Sequence, residues 1–436
     1  MNEPEFAAAI AIDWAEDRHY WQMWIPATQR REKGWLDHTP QTIDRWATGL
    51  EQRFASAPLA VCLEQSRGPL VYQLAKYVHL VLYPVHPATV ARYRAAFCPA
   101  GAKGDPGDAA LLLEILLHHR QHLRRLDPDT PETRLLGMLT EQRRKLVDER
   151  TRHSNRLTAC LKLYYPQPLD WIDDIDTPLG CDLLQRWPTL QQLQRARPDT
   201  LRRFFVQHNC RSTQRIEQRI QAIGESMAAV RDPVLLQAGA TATASLVAVL
   251  RTLNGQITVL DQRLAEVTPK HPEAYLFAGL PGAGPVLLPR LIVAFGTQRE
   301  RFSSAAELAA YSGIAPVSRQ SGLTKIVVFR RACPAFLRQT FQEFAACSMA
   351  KSAWARAFYQ LQTDRGKKHH AAVRALAFKW IRILFRCWKD RTPYDEARYL
   401  RCLEQRHSPL LPSATAPECS DVVEDPLKGS ETNQTE

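Results

Sequence analysis

Apolar and polar positions along this chain follow first a strand-like and then a helix-like pattern. The run Phe6-Ala-Ala-Ala-Ile-Ala-Ile ends in Asp13 and predicts a buried strand. A polar turn at Glu16-Asp17-Arg18 and the aromatic segment Tyr20-Trp21-Gln22-Met23-Trp24-Ile25 complete a β-hairpin over 6–26. Thr39 to Phe54 predicts a helix, with Thr39 as cap and Pro40 in its first turn. A second apolar run, Ala57-Pro-Leu-Ala-Val-Cys-Leu, ends in Glu64. A helix over Gly68 to Tyr77 and a third strand at His79-Leu-Val-Leu-Tyr-Pro-Val85 follow, in the β-α-β order of a parallel sheet. A helix from Asp108 to about Leu123 closes an α/β domain over 1–123.

From 124 to 270 the pattern predicts a long helical, coiled-coil region. Residues 133–165 carry eight Arg and Lys against three acids, with Leu139, Leu146, His153 and Cys160 spaced by sevens. The companion seam Leu136, Arg143, Arg150 and Leu157 is half basic, which argues against a simple coiled coil there. Leu246, Leu250, Leu253, Ile257, Leu260, Leu264 and Val267 form a cleaner heptad seam, explained equally by dimerisation or by packing within one chain. The stretch 166–212, rich in Trp, Pro and Arg, gives no clear period.

A third, mainly α-helical region spans 271–407. Leu280-Pro-Gly-Ala-Gly-Pro285 reads as a tight turn feeding a helix over Val286 to Phe295, a pattern that also serves phosphate-binding turns. Ser303 to Tyr311, Pro334 to about Leu361 and 370–389 are further helices. In the last, Arg374, Lys379, Arg382 and Arg386 interleave with Trp380, Phe385 and Trp388. Residues 408–436 are poor in apolar positions and are expected to be a disordered acidic tail.

Charge sharpens this picture. The chain of 436 residues carries a formal +12, yet the last 26 residues carry −5, so the preceding 410 carry +17. A body that basic favours a polyanionic partner. Ten single cysteines without a C-x-x-C pair disfavour a zinc knuckle and fit a reducing compartment. The start Met1-Asn-Glu-Pro-Glu lacks a signal peptide's basic segment. Uninterrupted apolar runs stay short of the ~20 residues of a spanning helix, so a soluble, cytoplasmic protein without a membrane partner is expected.

Four carboxylates carry candidate chemistry. Asp13 and Glu64 end strands, while Asp105 and Asp108 open a helix; such positions converge outside the carboxyl ends of parallel strands. Hard oxygen ligands suit Mg²⁺ or Mn²⁺, which assists phosphodiester chemistry. Each also has a structural explanation: Asp13 as a turn residue, Glu64 as a partner for Arg67, Asp105 as a helix cap and Asp108 as a charge favourable to the helix dipole. Their joint placement favours a metal site.

Lys103-Gly-Asp105-Pro-Gly-Asp108-Ala109 resembles the K-x-D-x-x-D-A signature of the DEDD-type insertion-sequence transposases, the IS110 family, which includes the Piv-type DNA invertases. Ile10-Ala-Ile-Asp13 followed by His19, and Leu63-Glu64 followed by Gly68, fit its N-terminal domain. Leu280-Pro-Gly-Ala-Gly-Pro285, Phe302, Leu308-Ala-Ala-Tyr311, Gly313-Ile-Ala-Pro316 and Gln320-Ser321-Gly322 resemble its second block. The resemblance covers about 6–123 and 275–390. Glu16 stands where many relatives have lysine, and Arg330-Arg-Ala-Cys-Pro334 lacks a usual glycine.

The resemblance implies a RuvC-like (RNase H-like) first domain with Asp13, Glu64, Asp105 and Asp108 as ligands of Mg²⁺. It also implies Ser321 as a nucleophile forming a transient phosphoserine with DNA. By its own context Ser321 is only a loop serine, and Ser318 stands three residues before it. The implied protein is a bacterial, nucleoid-associated recombinase, guided by a structured bridge RNA, acting on donor and target DNA as a homo-oligomer. The alternatives are a metal-dependent nuclease for branched DNA without a serine role, a DNA invertase of the same family, and a non-enzymatic nucleic-acid-binding protein.

Overall fold

The computed structural model describes residues 5–97, 104–322 and 324–410, in two compact units that meet in sequence at Pro128 and Asp129. Lys103 of the acidic signature and tail residues 411–436 lie outside the described residues. Leu410, assigned above to the tail, is buried in the core of the second unit.

The first unit is a five-stranded sheet in the order β3-β2-β1-β4-β5. Its elements run β1 (Ala8–Asp13), β2 (Arg18–Ile25), β3 (Arg30–Asp37), α1 (Pro40–Arg53), β4 (Leu59–Leu63), α2 (Pro69–Leu74), β5 (Leu80–Pro84), α3 (Pro87–Phe97) and α4 (Asp105–His119). Strands β1, β4 and β5 are parallel, while β2 and β3 extend the sheet antiparallel from β1. Side chains alternate across the pleat. Ala8, Ile10 and Ile12 face α1 and α2, whereas Ala9, Ala11, Ala60 and Cys62 face α4. The alanines on that second face let α4 lie close, and Gln22 on β2 donates to the Pro106 carbonyl at 2.9 Å to fix its start.

Strand β3 has no counterpart in the sequence reading. Arg30-Arg-Glu-Lys carries charge at four successive positions, as a protected edge strand does. Pairing with β2 makes it a strand, and Gly34 is required there: a Cβ would lie 2.8 Å from the Trp21 ring that covers it. Thr39 caps α1 as expected, its hydroxyl accepting from the Thr42 amide at 3.2 Å.

The second unit is helical apart from one hairpin. Helix α5 (Pro131–Tyr164) is followed by α6 (Pro168–Trp171), α7 (Pro178–Arg186), α8 (Leu190–Gln194), α9 (Pro198–Gln207) and α10 (Thr213–Glu225), then by α11 (Pro233–Val267). Helices α5 and α11 lie antiparallel: Leu136 shares a core with Leu264, Arg143 meets Asp261, and Tyr164 donates to Thr243 at 3.0 Å. The heptad seam of α11 is therefore satisfied within the chain, with Leu250, Ile257 and Leu264 buried along it. By length and composition α11 could cross a membrane. It nevertheless packs along α5 and carries Arg251 and Asp261 in ion pairs with Asp182 and Arg143.

Helices α6 to α10 explain the unreadable stretch. They are short, three start with proline, and Thr177, Thr189 and Ser212 cap α7, α8 and α10. Pieces of 4 to 13 residues give too few turns for a period to emerge. Trp171, Trp187, Phe204 and Phe205 join them to α5 and α11 in one core.

Beyond α11 come α12 (Ala274–Phe277), α13 (Leu287–Phe295), α14 (Ala305–Tyr311), strands β6 (Val317–Ser321) and β7 (Thr324–Val328), and helices α15 (Ala335–Lys351), α16 (Ala353–Asp364), α17 (His369–Lys389) and α18 (Glu396–Gln405). Their core holds Trp354, Trp380 and Trp388, all fully buried. Each buried indole N–H finds an acceptor, at Tyr394 Oη (2.9 Å), Ser348 Oγ (2.8 Å) and the Gly296 carbonyl (2.7 Å). Trp380 and Trp388 are thus core residues, and of the α17 side chains singled out in the sequence Arg382 and Arg386 stand exposed. In the Leu280–Pro285 turn Gly282 has φ +81° and abuts α15, where a Cβ would meet the Cys347 carbonyl oxygen at 2.7 Å. That glycine serves packing.

Candidate active site

Ile12 of β1 pairs with Leu63 of parallel β4. The next residues on these two strands are Asp13 and Glu64, side by side where the strands end. Both are half-buried, and strand alternation turns both toward the face that carries α4. Burial and the Glu64 charge together push the adjacent Cys62 thiol far above its ordinary pKa. The first two acids therefore form a pair fixed by sheet register.

The turn after Asp13 is pinned by a histidine couple. The Ala15 amide donates to His19 Nδ1 at 3.3 Å, so His19 carries its proton on Nε2 and donates it to His38 Nδ1 at 2.8 Å. His19 is fully buried, and desolvation with His38 beside it lowers its pKa to about 4. The family pattern included His19; its partner His38 carried no sequence signal.

Helix α4 begins with Gly104 as its cap, so Asp105 is the first helical residue rather than the cap. Asp105 is exposed, while Asp108, one turn on, is buried against the sheet. The two do not share an environment despite their spacing. The Asp108 carboxylate accepts from Arg94 Nη2, supplied by α3. Nothing in the sequence pointed to Arg94, since α3 lacks a clear apolar period.

Among the described residues no three Asp, Glu, His or Cys side chains close on a point that would hold an ion. The donor set is nevertheless all carboxylate, the kind Mg²⁺ or Mn²⁺ takes. Asp13 and Glu64 fit such an ion by placement. Asp108 has one carboxylate oxygen engaged by Arg94, which leaves the other for an ion whose binding the guanidinium charge opposes.

Ser321 ends β6 and pairs across the hairpin tip with Thr324. Gly322 follows with φ +57°, the left-handed conformation that such a tight turn needs. Ser321 is exposed, as a hydroxyl that attacks an external phosphate must be. The sequence reading gave a loop here; cross-strand pairing makes it a hairpin. Ser318 sits inside β6 opposite Val327, three residues away from the tip.

Two family models match the chain. One, described as a transposase with the DEDD motif, covers residues 10–166; the other, described as the IS116/IS110/IS902 transposase family, covers 274–360. The "Mini-circle putative transposase for IS117" of Streptomyces coelicolor is 27% identical over 408 residues, 91% of this chain and 98% of the relative. The "Insertion element IS110 uncharacterized 43.6 kDa protein" of the same organism is 28% identical over 71% of this chain and 76% of its own length. A "Pilin gene-inverting protein" of Moraxella bovis is 27% identical over 34% of this chain and 48% of its own length.

Proposed function

We propose, because this chain belongs to the IS110 family of insertion-sequence transposases, that it recombines DNA through the Asp13–Glu64 pair and Ser321. Its membership makes it a DNA-cleaving and rejoining enzyme. The observation that carries the finer reading is the Ile12–Leu63 pairing, which sets two carboxylates at adjacent strand ends of a DEDD-type domain. Asp13 and Glu64 would hold Mg²⁺ or Mn²⁺, with Asp108 joining through the carboxylate it shares with Arg94 and Asp105 one turn before it on α4. Such an ion, when bound, would offset charge on a phosphate and favour loss of the hydroxyl proton.

The protein's own part of the chemistry is a transesterification. The Ser321 Oγ–phosphorus bond forms as the bond from phosphorus to a deoxyribose oxygen breaks. The serine proton leaves to solvent, and the departing sugar oxygen takes one up. Attack by a sugar hydroxyl of another strand reverses the step and restores the serine, so bond energy is conserved without ATP. Gly322 has no side chain to obstruct approach to the neighbouring hydroxyl. Two cut sites per event imply at least two chains, and a basic body suits a guide RNA as well as DNA. The pilin-inverting relative supports recombination in preference to simple cleavage.

Ser321→Ala and Ser318→Ala separate the candidates in a plasmid recombination assay with the bridge RNA co-expressed. Loss of at least 10³-fold in Ser321→Ala alone is expected, on the scale of a nucleophile's contribution. Full recombination by Ser321→Ala, with cleavage still lost in Asp13→Ala, would leave a metal-dependent nuclease instead.

A further inference from the structure

Phe329, the residue after β7, is 40% exposed, and two cations lie over its ring. The guanidinium carbons of Arg338, in the first turn of α15, and Arg374, in the second turn of α17, stand 5.1 and 4.7 Å from its centroid. Each is drawn by the ring, but the two repel one another. Among the described residues no carboxylate forms an ion pair with either; Arg338 donates to Cys333 Sγ at 3.4 Å instead. Arg330, next to Phe329, keeps its Nε buried without a hydrogen-bond partner among the described residues. Burial and the Arg338 charge also hold the Arg374 pKa below its ordinary value. The buried arginines of this unit differ: Arg290 pairs with Glu343, and Arg299 with Glu273, whereas Arg338 and Arg374 are half-buried. Among the described residues three guanidinium groups at one hairpin root are thus without an ion-pair partner, and lying over a ring leaves the N–H edges of Arg338 and Arg374 open to an anion.

We propose that Arg338 and Arg374, held on Phe329 at the root of the β6–β7 hairpin, clamp a backbone phosphate of the DNA strand on which Ser321 acts. They are positioning residues, and the proposal rests on the reading of Ser321 as the nucleophile. Ser321 pairs with Thr324, and Phe329 lies five residues farther along that arm, about 17 Å at ~3.3 Å per residue. Because a strand of B-form DNA winds around its axis as it advances ~3.4 Å per nucleotide, a span of that size places the clamped phosphate only a few nucleotides from the scissile one. Ile326 and Val327 are exposed along the same arm, as befits a hairpin that rests on a ligand.

The test measures equilibrium binding of full-length Ser321→Ala protein, which cannot react, to a duplex carrying the joined element ends. Salt titration and a scan of single neutral methylphosphonate linkages are the two readouts. With the arginines present, one neutral linkage a few nucleotides from the cut should weaken binding roughly tenfold. Adding Arg338→Gln and Arg374→Gln should remove that sensitivity and lower the slope of log K against log salt by about 1. The lysine counterparts should keep the slope. If the double glutamine variant fails to fold, Phe329→Leu serves: it keeps both charges, and should keep the slope while spreading the sensitivity over neighbouring linkages. An unchanged slope and scan in the glutamine variants would overturn the clamp. So would an unchanged scan in Phe329→Leu, or changes seen with the co-purifying RNA but not with DNA. Because binding is read without reaction, a clamp signature in a protein whose wild type never bonds to DNA would defeat only the serine reading.

Discussion

Asp108 is held by Arg94, a positive charge that competes with a cation for that carboxylate. Removing the guanidinium should release a ligand: Arg94→Gln is expected to bind Tb³⁺, a luminescent probe for hard-cation sites, several-fold more tightly than wild type. Trp14, next to Asp13 and 37% exposed, is the sensitiser. Unchanged terbium titration in Arg94→Gln, or equal binding by Asp13→Ala, would remove Asp108 or Asp13 from the site. His19 gives a second residue-level prediction. Its folded pKa of about 4 lies below the ordinary 6.5, so the unfolded state binds the extra proton first. Stability is therefore full above pH 6.5 and declines as pH falls toward 4, by about 1.4 kcal/mol per pH unit and roughly 3 kcal/mol in all. Denaturant melts of wild type and His19→Gln across that range should converge at low pH. Parallel pH profiles would contradict the assignment. The four acids and Ser321 stand as candidates in the sequence because the spacing of the family's motifs marks them. Arg94 and His38 were not, because a partner brought in by the fold has no spacing to read.

Most elements of the first unit were legible because buried parallel strands are written as apolar runs, and β3 was missed because its partner, not its own composition, makes it a strand. The long helices were legible too, but a heptad seam does not say what covers it. In α11 the answer lies on α5 of the same chain, where Arg143 of the half-basic seam finds Asp261. Leu250 is fully buried on that seam, so Leu250→Ala should cost about 2–5 kcal/mol of stability and leave the number of chains in the assembly unchanged. Urea unfolding and light scattering on the same samples would check this. A stable monomer replacing an oligomer would mean that the seam joins chains.

Across the whole molecule, charge is the most general signal. With +17 on the first 410 residues, affinity for nucleic acid should fall by about 10³-fold or more between 50 and 200 mM salt if six phosphates are neutralised. The fold adds a refinement to the composition: the tryptophans of α17 belong to the core, so any contact of α17 with nucleic acid would rest on its arginines, exposed Arg382 and Arg386 beside Arg374, and Trp388→Phe should affect stability before affinity. The central claim is that Ser321 bonds to DNA, and one measurement meets it directly. Purified protein with its RNA, the element DNA and Mg²⁺ is denatured in detergent, digested with protease and nuclease, and read by mass spectrometry. The account predicts a nucleotide mass on the peptide containing Ser321, absent from Ser321→Ala and from Asp13→Ala. Cut DNA with no protein attached, or the nucleotide on Ser318 or any other residue, would contradict it.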